Sequence, residues 1–204
     1  MEGGGTMIAS VLRLNRANYK ALEIKDAYSV HRVVYSLFPE QDGQSRDFLY
    51  ADKGGDWNCR QVLILSERQP KTPDFGEIET KEIPESFLRW DNYGFEVIVN
   101  PTQRNGPSKK TTPIKGRESL HKWFFQKTPT WGFHVEPDSL QVSNIGVVSF
   151  DRNKNITQTH GSATFTGKLK VIDRQTFIKS FKHGIGRAKG FGFGLLQIVP
   201  IQKH

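Results

Sequence analysis

The sequence predicts an α+β protein made of two tandem ferredoxin-like (βαββαβ, RRM-like) domains. Two observations carry this reading. The apolar patterning runs β-α-β-β-(short α)-β from Met7 to Asn100, and the same order then runs again to Ile201. The 204 residues, with 36% hydrophobic content, 14 Phe and 4 Trp, suffice for two cores of about 100 residues each. The duplication is one of pattern; no repeated sequence is visible. The expected partition is a leader or flexible extension at Met1–Thr6, a first domain over residues 7–91 and a second over 92–204.

Met7–Asn15 (MIASVLRLN) alternates well enough to read as the first strand. Asp26–Pro39 (DAYSVHRVVYSLFP) reads as a helix: Asp26 is a good N-cap, and Pro39 cannot continue the helix. Arg46–Ala51 (RDFLYA) and Arg60–Glu67 (RQVLILSE) read as strands joined through Asp52–Asn58, most simply as a hairpin. Gln69–Pro84 is proline-bearing and acidic and reads mostly as connection, with a short helix at Pro84–Trp90. Tyr93–Asn100 (YGFEVIVN) is a clear strand that closes the first pattern and can open the second. After a basic loop, Gly116–Lys127 reads as a helix with Leu120, Trp123 and Phe124 on one side. Leu140–Phe150 and Ile156–Ile172 are β-rich and flank the turn-like Asp151–Asn155. Asp173 caps a helix, Arg174–His183, with Phe177, Ile178 and Phe181 as its stripe. A glycine-rich loop, Gly184–Gly194, precedes a last strand, Leu195–Ile201.

Composition narrows the function. A mean hydropathy of -0.54, with no apolar run near 18 residues, excludes a transmembrane helix. The first residues, MEGGGTMIAS, lack the basic start and apolar stretch of a signal peptide. Cys59 is the single cysteine, so no intrachain disulfide forms, which fits a reducing bacterial cytoplasm. The net charge of +8 suggests a polyanionic partner. Charge is polarised: Arg104–Lys122 carries six Lys/Arg against Glu118, and Lys168–Lys189 carries seven against Asp173. Between Glu67 and Glu96 the balance reverses, with eight carboxylates against four bases. No C-x-x-C, H-E-x-x-H or Walker-type loop occurs, and the six His are scattered, so no metal or other cofactor is expected.

Three stretches can carry chemistry. At about 100° per residue, Ala27, Val30, Val33, Val34, Leu37 and Phe38 form one buried arc, and His31, Tyr35, Tyr28 and Arg32 lie beside it. Tyr28 and His31, three residues apart, point the same way. Taken alone, a His at such a margin is as simply a half-buried surface residue. His183–Gly194 (HGIGRAKGFGFG) has five glycines that let backbone amides approach a phosphate chain, with Arg187 and Lys189 adding charge. Its bland reading is a floppy connection. Lys109–Lys122 (KKTTPIKGRESLHK) sets bases around a helix start, which suits phosphate contacts or a merely solvated loop.

Together these residues resemble the CasE family, the CRISPR repeat-processing endoribonucleases of type I-E Cascade. The resemblance spans nearly all of Met7–Ile201. It rests on DAYSVHRVVYSLFP, on NPTQRNGPSKKTTPIKGRESLHKWF followed by Gly132–Phe133, on ATFTGKLKVID, and on the terminal GIGRAKGFGFGLLQIVP. It implies two ferredoxin-like domains and metal-free cleavage of CRISPR precursor RNA at the 3′ base of a stem-loop. The attacking group is the 2′-hydroxyl just upstream of the cut, the products end in a 2′,3′-cyclic phosphate and a 5′-hydroxyl, and the enzyme stays on its RNA beside other Cascade subunits. The family's active-site Tyr and His map onto Tyr28 and His31.

An imidazole is the side chain suited to act as base or acid near neutrality, and Tyr28 suits orienting the 2′-hydroxyl or donating to the phosphate. The phosphate candidates are Lys109, Lys110, Lys115, Arg117, Arg187 and Lys189, with Arg152 and Lys154 added from the family's basic hairpin. Arg32 and Tyr35 stay open as helpers. The alternative reading is a non-catalytic double RRM-like RNA-binding module, although the early strands lack the aromatic pattern with which an RRM stacks bases. A protein-assembly adaptor with incidental charge is a third.

Overall fold

A computed structural model describes residues 6–39, 46–55, 58–104, 106, 111–153 and 156–202, with backbone alone at 151–153, 156 and 157. The first half forms β1 (Met7–Asn15), α1 (Arg16–Ala21), α2 (Ala27–Ser36), β2 (Phe48–Gly55), β3 (Cys59–Ser66) and β4 (Glu77–Ile83). The second forms β5 (Asn92–Val99), β6 (Thr102–Arg104), β7 (Thr111–Pro113), α3 (Arg117–Lys127), β8 (Phe133–Val135), β9 (Gln141–Asn153), β10 (Ile156–Val171), α4 (Arg174–His183) and β11 (Gln197–Pro200). Two antiparallel sheets result, ordered β2-β3-β1-β4 and β11-β5-β10-β8, with β9 also paired to β10. In each, the first strand of the unit lies between its third and its last, which is the ferredoxin-like order.

The first sheet departs from the expected elements at its closing strand. Glu77–Ile83, expected as connection, is β4: it pairs antiparallel with β1 from Met7↔Ile83 to Arg13↔Glu77. Its sequence, EIETKEI, keeps charge on most positions because an edge strand faces water along one side. Tyr93–Asn100 therefore serves the second sheet alone, as β5 beside β10 and β11. The expected helix at Pro84–Trp90 is a single 3₁₀ turn, Glu85–Leu88, that follows β4. The loop after Asn100 contains a short ribbon, β6–β7. α1 was also unforeseen; Asn15 and Asn18 exchange side-chain-to-backbone hydrogen bonds of 2.9 Å across its start.

Burial explains why β2 and β3 read as continuous apolar runs rather than alternations. Phe48, Tyr50, Val62 and Ile64 pack beneath α2 with Leu12, Leu14, Val30, Val33 and Val34. Leu49, Ala51 and Leu65 point the other way and join Met7 in the larger core of the second half. That core stacks Phe124 on Phe165 at 4.2 Å between ring centroids and Phe95 on Phe124 at 5.8 Å. A sheet buried on both faces fixes the two halves against each other, and an ion pair between Lys53 of β2 and Glu96 of β5 bridges them. The end of β9, the start of β10 and the glycine-rich loop are thereby brought onto α2. Among the described residues no helix is long and apolar enough to cross a membrane.

Candidate active site

α2 is anchored by its cap. The Asp26 carboxylate accepts from the Ser29 amide and hydroxyl, both at 2.7 Å, and these bonds hold its pKa below the ordinary 3.8. With Val30, Val33 and Val34 buried against the sheet, Tyr28, His31 and Tyr35 are left half-buried along the helix margin. The His31 ring lies 5.6 Å from that of Tyr28, nearly parallel at 14°, and 4.0 Å from that of Tyr35. Phe191 stacks on it from the glycine-rich loop at 5.6 Å. With Phe150 and Gln158 these four rings line a small cavity of about 260 Å³.

The decisive contact is His31 Nδ1 to the Gly190 carbonyl oxygen, 2.9 Å. A carbonyl only accepts, so Nδ1 carries the hydrogen, and in the neutral ring the lone pair resides on Nε2. The loop holds this carbonyl through its own closure. The Ile185 amide donates to the Gly194 carbonyl at 2.9 Å, and the Gly194 amide donates to Ile98 of β5 at 2.7 Å. A Cβ at Gly190 would stand 2.6 Å from Arg46 Nη1 and 3.3 Å from the Tyr35 hydroxyl, so a larger residue there pushes the Arg46 guanidinium aside.

Cations surround the cavity. Arg46 donates from Nη1 to the Tyr35 hydroxyl at 3.4 Å and from Nε to the Phe48 carbonyl at 2.9 Å. The guanidinium of Arg32 lies 5.9 Å from the Tyr28 ring centroid, at the exposed rim. Lys189 donates to the His183 carbonyl at 2.9 Å; burial, and then the nearby Arg46 charge, push its pKa down. A second bond, to the Gly184 carbonyl at 3.4 Å, helps it close the loop.

The other expected phosphate contacts divide. Arg187 and Lys115 are exposed and line a second, larger cavity. Arg187 also donates to the Thr111 hydroxyl at 2.7 Å. Arg117, exposed at the start of α3, turns one nitrogen onto the Val142 carbonyl. Lys109, Lys110 and Lys154 fall outside the described residues, as does the side chain of Arg152. Among the described residues no three of His, Cys, Asp and Glu converge as a metal-holding group.

Arg46, Phe150 and Gln158 are cavity or rim residues that the sequence did not single out. Arg46, expected as the first residue of a strand, lies just before β2, which begins at Phe48; Phe150 and Gln158 are β9–β10 partners in register. Their role depends on pairing across the fold, which no local pattern reveals.

Comparison with known proteins gives a consistent match. Residues 7–200 match the model of a family described as CRISPR associated protein. The Cascade subunit CasE of Escherichia coli K12 is 25% identical over 189 residues, covering 87% of this chain and 94% of that protein. Thermus thermophilus Cse3 bound to an RNA representing a pre-cleavage complex superposes with a TM-score of 0.77 at 18% identity, covering 96% of this chain and all of that one. The crystal structure of Escherichia coli K-12 Cas6e superposes at 0.71 with 21% identity over the same shares.

Proposed function

The chain belongs to the CRISPR-associated protein family, in its CasE group, and from that premise we propose that it is a CRISPR RNA endoribonuclease that works as a Cascade subunit. It cuts precursor RNA at the 3′ base of the repeat stem-loop by attack of the adjacent 2′-hydroxyl, without a metal ion, and keeps the processed RNA. The observation that carries this is His31, held between Tyr28 and Tyr35 with Nδ1 fixed by the Gly190 carbonyl.

With the nucleophile supplied by the substrate, the protein has three tasks: moving protons, aligning ribose and phosphate, and countering charge on the phosphorane. His31 Nε2 exchanges the proton, taking it from the 2′-hydroxyl or returning it to the leaving 5′-oxygen. Tyr28 orients the 2′-hydroxyl or donates to the phosphate. Arg46, hydrogen-bonded to the Tyr35 hydroxyl, is a guanidinium able to counter the phosphorane charge. Arg187 and Lys115, with Lys109, Lys110, Arg117, Arg152, Lys154 and Lys189, grip phosphates, since an A-form stem is recognised through backbone and shape. The catalytic helix lies in the domain at 7–91 and most of the basic surface in that at 92–204.

Incubating the full chain with a repeat stem-loop RNA in EDTA tests this against a binding-only module. Conversion to two discrete fragments is expected. RNA that is retained but intact after long exposure would leave only the binding reading.

A further inference from the structure

The larger cavity, about 790 Å³, opens beside the catalytic one and belongs to no step described so far. Its walls are mostly apolar, and among the described residues Lys115 and Arg187 are the charged ones that line it, with no carboxylate. Ile145 and Val147, neighbours on one side of β9, are 48% and 69% exposed at its edge. Large apolar side chains left open to water in such a place mark a binding surface.

Asn100 and His160, two of its lining residues, pair beneath its surface. Asn100, 7% exposed, bonds through its amide to His160 Nδ1 at 3.1 Å. Its other amide atom, Oδ1, and His160 Nε2 are buried without a hydrogen-bond partner among the described residues. Whichever way the amide is turned, the two unpartnered atoms are one donor and one acceptor. If the amide nitrogen donates to Nδ1, then Nε2 bears a hydrogen and the amide oxygen accepts. If the amide oxygen accepts from Nδ1, then Nε2 accepts and the amide nitrogen donates.

The two cavities have lining residues that lie close together on β10. Gln158 lines the catalytic cavity and His160 the larger one. Two residues on a strand span roughly 6–7 Å. Phe191, stacked on His31, also lies with its ring 5.0 Å from that of His160. A strand with its scissile phosphate at His31 therefore reaches the second cavity with its next nucleotide. Given cleavage at the 3′ base of a stem, the nucleotide upstream of the cut is paired and the one downstream is unpaired, able to leave the stack. We infer that the cavity is a base-binding subsite for the first nucleotide on the 3′ side of the cut, its base against Ile145 and Val147 and its phosphate near Arg187 and Lys115. This rests on the RNA-cleaving reading above.

The test uses two stem-loop RNAs, each with a 2′-deoxy residue upstream of the cut to block cleavage. One stops at the cut; the other extends by one nucleotide. The intact chain should bind the longer RNA about tenfold more tightly, in the range of one base stacked on a protein surface. Val147→Glu, at a site exposed enough to leave the melting temperature unchanged, should erase that difference while leaving affinity for the shorter RNA within twofold. Equal affinity of the unaltered chain for both RNAs, or equal weakening of both by Val147→Glu, overturns the subsite. Failure to bind either RNA above nonspecific levels overturns the RNA reading itself.

Discussion

Replacing His31 by alanine is expected to lower the single-turnover cleavage rate of a repeat stem-loop in EDTA by about 10²–10⁴-fold, the usual contribution of a positioned acid or base. Affinity for the same RNA should change by no more than about threefold, because the imidazole faces Gly190 and the aromatic rings of its own site rather than a basic surface. The residue is half-buried at the helix margin, so its loss leaves the valine stripe and the fold intact. Undiminished cleavage by this variant would remove His31 from the reaction.

Gly194→Ala should have the largest effect on stability and a second effect on rate. Gly194 has φ +83, where an L side chain is strained, and a Cβ there would stand 2.2 Å from the Ile185 carbonyl oxygen. That contact is backbone against backbone, so no side chain can swing aside. The loop base must open, breaking the bonds from Ile185 to Gly194 and from Gly194 to Ile98. A cost on the order of 3 kcal/mol follows from strain and lost pairing together. For a domain of this size it lowers the melting temperature by about 6–12 °C. Well below that temperature cleavage should still fall, because the same loop places the Gly190 carbonyl on His31. Gly94→Ala is the control: it lies in β5 with its nearest atom at 3.9 Å and should shift stability by less than about 1 kcal/mol. Equal melting temperatures for Gly194→Ala and the unaltered chain would contradict the loop's role.

Much of this was legible along the chain where local physics decides. Spacing of three residues set Tyr28 and His31 on one helix face, and the Asp26 cap appears as read. The paired strands around Asp52–Asn58 followed from their apolar runs, and the glycine-rich segment was recognisable as a loop. What could not be read is what that loop does to the helix. Gly190 lies 159 residues from His31, and a carbonyl acceptor has no side-chain signature. Density of glycine suggested amides facing a phosphate; that one loop carbonyl also meets the imidazole was not readable from it. β4 was missed because hydrophobic patterning reports burial, and an edge strand of Glu, Thr and Lys buries little. The doubly buried β2 and β3 gave strands but not the reason for their continuous apolarity, which lies in the second half of the chain.

The most direct measurement compares two repeat stem-loop RNAs in EDTA, identical except for a single 2′-deoxy substitution just upstream of the scissile phosphate, with the product ends mapped. An internal 2′-hydroxyl nucleophile predicts cleavage of the all-ribose RNA to a 2′,3′-cyclic phosphate and a 5′-hydroxyl, and none of the substituted RNA. Cleavage of the substituted RNA at the same phosphate, or a 5′-phosphate on the downstream fragment, would contradict it.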